Sequence, residues 1–152
     1  MKRIALVRNS SEHQWLGRLK NFFGLFNLTE FEARLLDFLC ESVDVDMRGV
    51  LLDQIARFNF VNRVLDANEP RLAYGFTDFY YKKFNKLRPF PRLLPGLEGM
   101  EEHIIFKCVA IDEGGVIINC SFIAVRGALF EIQYRSPQRR WQPTGIYSLR
   151  AD

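Results

Sequence analysis

Apolar side chains crowd most densely into the last third of the chain, in runs separated by short glycine-bearing turns. Between His103 and Arg135 the sequence reads HIIFKCVAI, DEGG, VIINCSFIAV, RG and ALFEIQYR. β-Branched and aromatic side chains suit a pleated, half-buried surface, and glycine supplies the positive φ that tight hairpins need. The pattern predicts an antiparallel meander with strands near 103–111, 116–125 and 128–135. A three-residue loop at Glu113, Gly114 and Gly115 would set Asp112 opposite Val116 and Cys108 opposite Cys120. One face of the middle strand carries Ile118, Cys120 and Phe122, and the other carries Ile117, Ile123 and Val125. Both faces are largely apolar, so helices can cover one and something else must cover the second: a long loop, the C-terminal tail or a partner.

Upstream the period lengthens to that of a helix. Trp15, Leu16, Leu19, Phe22 and Phe23 share one stripe and predict a helix from about Glu12 to Phe23. Thr29-Glu30-Phe31-Glu32 is a capping box, which opens a helix running to about Ser42. Asp44 or Asp46 caps a longer helix, to about Leu65, with Met47, Leu51, Ile55, Phe58 and Val61 on one face. Pro70 marks its end. Arg71 to Phe84 reads as a strand in which Gly75 suggests a bulge or a close backbone approach. The stretch from Asn85 to Glu102 holds Pro89, Pro91 and Pro95 and is too proline-rich for helix or central strand. Its length suits a functional loop or a flexible lid. The fold expected is α+β: a single domain over residues 1–152, with about three N-terminal helices packed on an antiparallel sheet of about four strands.

Composition narrows the class. The chain has 152 residues, 48% of them apolar and 26% charged, which excludes a disordered protein. No apolar run approaches the roughly 20 residues of a membrane span, and MKRIALVRNS is no secretory signal, so no membrane is expected and the cytoplasm is the expected compartment. Cys40, Cys108 and Cys120 make an odd count, which points to reduced thiols, although the hairpin register would allow a disulfide between Cys108 and Cys120.

Candidate chemistry is sparse. His13 and His103 stand near no other residue at metal-ligand spacing, so no metal and no cofactor is expected. No nucleophile motif accompanies the cysteines or serines. Asp112-Glu113 reads as a pair of solvated turn carboxylates. Asp78 differs: it lies among Phe76, Phe79, Tyr80 and Tyr81, and if buried it needs a partner such as Arg71 or a tail arginine. Tyr74, Phe76, Asp78, Phe79 and Tyr80, with Trp141 from the tail, are the candidate binding residues. A basic patch is suggested by Lys82, Lys83, Lys86 and Arg88 around Tyr80, Tyr81, Phe84 and Phe90, and by Arg135, Arg139 and Arg140 beside Trp141. Cations interleaved with aromatics are used by single-strand nucleic-acid binders, yet they also blunt exposed strand edges. The net charge is only +3, so nucleic acid is the disfavoured reading.

Gln54 to Arg57 on a helix, then Arg63, then Gly75-Phe76-Thr77-Asp78-Phe79, form one set of marks. Val125-Arg126-Gly127 turning into Leu129-Phe130-Glu131, and Trp141 near Pro143, form another. In these marks, over roughly the last hundred residues, the chain resembles a group of small uncharacterised bacterial α+β proteins. The resemblance implies the fold and no activity. The functional expectation is therefore a non-enzymatic protein-interaction protein of the bacterial immunity or accessory kind, acting on a protein partner or as a homodimer. The alternatives are a small-molecule binder or enzyme with an aromatic pocket near Asp78, and a nucleic-acid-binding module.

Overall fold

The structure, a computed structural model, describes residues 28–66, 73–112, 114–136 and 146–152. The expected helix at Glu12–Phe23 lies outside them. Two helices come first, α1 (Glu30–Ser42) and α2 (Val45–Arg57). The capping box at Thr29 forms as its sequence predicts: the Glu32 amide donates to the Thr29 hydroxyl, and the Thr29 amide donates to the Glu32 carboxylate at 2.8 Å. Asp44 caps α2 by accepting from the Met47 amide. The last carbonyls of α1 are free of helical partners, and Arg48 of α2 donates to those of Cys40 and Glu41.

Eight strands follow: β1 (Phe60–Asp66), β2 (Ala73–Tyr80), β3 (Lys82–Lys83), β4 (Lys86–Leu87), β5 (His103–Asp112), β6 (Ile117–Val125), β7 (Ala128–Ser136) and β8 (Ile146–Ala151). Six of them make one antiparallel sheet in the order β1-β2-β7-β6-β5-β8, and β3 and β4 form a separate two-residue ladder. The α+β class and the meander agree with the expectation, and the sheet is wider than expected by a strand at each edge. β8 comes from the tail, which pairs with β5 as an edge strand, Ala110 opposite Leu149.

The second helix stops at Arg57, short of Leu65. Phe58 and Val61 continue its helical spacing, but β2 offers a ladder: Val61 lies opposite Phe79 and Arg63 opposite Thr77. Tertiary pairing overrides the local period here. The strand expected to reach Phe84 ends at Tyr80. Asn59 clamps the break, its side chain accepting from the Lys82 amide and donating to the Lys82 carbonyl. No register shift occurs at Gly75, which sits squarely opposite Tyr134.

Strand alternation puts Phe79, Ile132, Tyr134, Ile118, Cys120 and Phe122 on one face, where the helices pack. Phe31, Leu35, Leu36 and Leu39 of α1 and Leu51 and Ile55 of α2 are buried against it. Rings meet edge-on between Phe31 and Tyr134 and stack between Phe58 and Phe79, with centroids 5.0 Å apart in the latter. Each fully buried Leu or Phe contributes about 1.5–3 kcal/mol. Cys108 and Cys120 oppose each other on this face, and all three cysteines are free and buried.

The proline-rich loop after β4 is tied down, contrary to a lid. Leu94 is fully buried and its amide donates to the Gly127 carbonyl at 2.7 Å, while the Arg126 amide donates to the Met100 carbonyl at 2.7 Å. Gly127 has φ +76°, and a Cβ there would meet the Leu93 Cβ at 2.9 Å, so the β6–β7 turn requires glycine at this position. Gln54, itself fully buried, fastens the junction: its amide donates to the carbonyls of Arg92 and Gly127 and accepts from the Leu129 amide.

Candidate functional site

Two features stand out beyond the core, and both lie toward the end of the sheet where β2 stops. The first is a row across the face away from the helices. Asn62, Asp78, Glu131, Ile123 and Ile104 are successive cross-strand neighbours on β1, β2, β7, β6 and β5. A β-bulge sharpens it. Ile123 opposes Glu131 but Ala124 opposes Leu129, so β7 carries one extra residue, Phe130. Leu129 stays in the core, whereas the Phe130 ring meets Tyr80 on the far face, with centroids 5.6 Å apart. Phe130 and Glu131 thus reach the same side.

Asp78 is 6% exposed. Its Oδ2 accepts from the Asn62 amide at 3.2 Å and from the Tyr80 hydroxyl at 3.3 Å, while its buried Oδ1 meets no donor. Among the described residues its donors are a strand asparagine and a tyrosine; the charged partners expected are Arg71 or a tail arginine. Arg71 lies outside the described residues. Burial pushes the Glu131 carboxyl up; Gln133 opposes this, and the neighbouring Asp78 and Glu102 charges add to it. Tyr80 is raised too, by burial and by Asp78.

The second feature is the β3–β4 hairpin. Phe84 and Asn85 form its turn with φ of 52° and 59°. Asparagine tolerates the left-handed region, but a phenylalanine there is an outlier. Phe84 is also 85% exposed and Leu87 is 65% exposed. Lys83 pairs directly with Lys86 across the ladder, a destabilising placement of like charges. The Lys82 ammonium sits 3.6 Å from the centroid of the Phe60 ring and also over Tyr80, which anchors the hairpin to β1 and β2.

The predicted site residues separate. Asp78, Tyr80 and Phe76 share the far face, but Phe79 is 2% exposed and belongs to the helix-side core, because strand alternation turns it the other way. Tyr74 pairs with Arg135, and its side chain lies outside the described residues, as do Trp141, Arg139 and Arg140. Arg135 sits near the end of β7 opposite Asn119, at the other end of the sheet from Lys82, Lys83, Lys86 and Arg88. Arg135 therefore does not join the hairpin cations in one patch. Asp112 corrects the reading of solvated turn carboxylates: it is buried, and its Oδ1 accepts from the Gly114 and Val116 amides at 2.8 and 2.9 Å.

Sequence reasoning missed Glu131, Phe130, Phe60 and Asn62. The last two were read as helix, and the first two meet Asp78 and Tyr80 only through the register of β2 on β7. It also missed how much Glu32 does. Beyond its capping role, this 2%-exposed carboxylate accepts from two nitrogens of Arg63 and from the Thr77 hydroxyl, to which the Tyr134 hydroxyl donates in turn. Burial and the nearby Glu32 charge hold the Tyr134 phenol well above its ordinary value.

The thiols sit in settings that suppress thiolate formation. Burial and the Asp37 charge push Cys40 up to about 12, and Cys120 is raised by its contact with Cys108 and by burial. Among the described residues no group of three or more His, Cys, Asp or Glu stands together as a metal site, and no helix is long and apolar enough to cross a membrane. Comparison with protein-family models, with curated proteins and with solved structures finds no match.

Proposed function

We propose that this chain is a non-enzymatic protein-interaction protein of the bacterial immunity or accessory kind, working in the cytoplasm and engaging a protein through the hairpin end of its sheet. The observation that carries the reading is Phe84, 85% exposed in a left-handed turn. Backbone strain and exposed apolar surface at one point are costs that a monomer gains nothing from, and such costs gather where a chain binds. Leu87, Phe60, Leu93 and Met100 are exposed toward the same end. Aromatic and aliphatic anchors ringed by charge are the composition of protein interfaces. Glu32 and Asp112 satisfy buried donors, and the thiols pack in the core.

Nucleic acid fits this end less well. Glu98, Glu101 and Glu102 are exposed on the loop that runs beside the β6–β7 turn, and they repel phosphates. Mixed charge of this kind suits a protein surface.

A photo-crosslinking residue placed at Phe84 tests the proposal, with Val45, which is 77% exposed at the start of α2, as the control position. A discrete protein adduct at Phe84 and none at Val45 is expected, and the captured protein should then bind the purified chain saturably. Equal labelling at both positions, or none at Phe84, would overturn the reading.

A further inference from the structure

The hairpin end carries two charge sets that leave one another unpaired. Lys82, Lys83, Lys86 and Arg88 are cations on or beside the hairpin, and Glu98, Glu101 and Glu102 are carboxylates on the loop that follows. None of these seven makes an ion pair among the described residues. Lys82 is engaged by the rings of Phe60 and Tyr80, and the Lys83 ammonium stands 5.8 Å from the centroid of the exposed Phe84 ring; Lys83, Lys86 and Arg88 are themselves exposed. Exposed apolar side chains accompany each set: Phe84 and Leu87 lie with the cations, and Leu93 and Met100 with the carboxylates.

A surface that holds both a basic-apolar half and an acidic-apolar half, side by side, is complementary to itself. A two-fold rotation sets each half against the other half of a second molecule, which is the geometry of an isologous dimer. We infer that the partner at this end is a second copy of this chain, the β3–β4 hairpin of one protomer lying on the 93–102 loop of the other. This rests on the proposal that the hairpin end is a protein interface, and it names the partner. The pairing accounts for three features otherwise costly in a single chain. Phe84 leaves water, the like-charged Lys83 and Lys86 gain facing carboxylates, and the acidic loop gains facing cations.

Sedimentation velocity over a dilution series tests the inference, at low and high salt. A concentration-dependent dimer is expected, weakened about tenfold or more by added salt, because exposed charge pairs are screened. Charge reversal gives the decisive arm. Lys83→Glu with Lys86→Glu should leave a folded monomer, as should Glu98→Lys with Glu101→Lys, since all four side chains are exposed. Mixing the two variants should restore a dimer containing one of each. Phe84→Ser offers an uncharged variant that should also be monomeric. A wild type that stays monomeric at every concentration overturns the inference, and so does a dimer indifferent to both reversals or a mixture that stays monomeric. If the wild type is monomeric while the crosslinker at Phe84 still captures a foreign protein, the interface proposal survives and only the self-association is lost. Tighter binding of a single-stranded oligonucleotide or of anionic vesicles, abolished by Lys83→Glu with Lys86→Glu, overturns both.

Discussion

Arg63 grips Glu32 through two guanidinium nitrogens although the two residues lie 31 positions apart in the chain. The contact ties the first turn of α1 to edge strand β1, and the same carboxylate also holds Thr77 on β2 and the cap amide of Thr29. Glu32→Ala removes an acceptor from four donors at once. A loss of about 3 kcal/mol is expected, the scale for breaking a buried ion pair from one side. Thr29→Ala removes one cap bond and should cost about 1 kcal/mol. Denaturant unfolding of both variants checks the ranking, and equal losses would mean that Glu32 does no more than cap.

Gln54 gives a second stability test. Gln54→Ala leaves the Leu129 amide and the Arg92 carbonyl without their buried partner, while the Gly127 carbonyl keeps the Leu94 amide. An unmet buried group costs about 1–3 kcal/mol, so a loss near the upper part of that range is expected. Hydrogen exchange should show the opening concentrated at the Leu94 and Leu129 amides. Uniform acceleration across the sheet would count against a local fastener.

The carboxyl pair predicts a pH dependence with a definite sign. Glu131 is raised in the folded protein, chiefly by burial, so the folded state keeps a proton that the unfolded chain has released. Stability from this group therefore falls as pH climbs above the ordinary glutamate value of about 4.3, through the raised folded value. Glu131→Gln cannot ionise, and its amide can donate to the neighbouring Asp78 carboxylate. The variant should be as stable as the wild type at acid pH and more stable at neutral pH. Urea midpoints measured across the acid-to-neutral range read this directly. A gap that shrinks as pH rises would contradict the assignment.

Phe84→Gly should separate stability from binding. Glycine accepts the left-handed turn that phenylalanine adopts at a cost of about 1–2 kcal/mol. The thermal midpoint should hold or rise, while association through the hairpin is lost. A variant that unfolds more easily would show that Phe84 packs within its own chain.

How much of this was legible depends on the range of the interaction that decides each element. The capping box at Thr29, the Asp112 to Val116 hairpin and the facing pair Cys108 and Cys120 follow from neighbours a few residues away, and all formed as the sequence implied. β1 was hidden because Phe58 and Val61 fit the helical face of Met47, Leu51 and Ile55; only the presence of β2 beside it decides for a strand. The site was half legible. An aspartate among aromatics was visibly unusual, but its companion Glu131 depends on a register joining β2 to β7 and on one extra residue at Phe130. Nothing local records either.

The strand order also fixes a sequence of events in folding. β5, β6 and β7 are joined by short turns and can zip as they meet, whereas β2 must find β7 across more than fifty intervening residues, as Asp78 does Glu131. Closing so long a loop is slow relative to closing a hairpin. The meander should therefore stand first as a template, with β1 and β2 docking onto its β7 edge in a later, rate-limiting step. Pulse-labelled refolding would find the amides of β6 protected before those of β2. Until that step completes, β7 is an open edge, and the row that holds Asp78 against Glu131 does not yet exist.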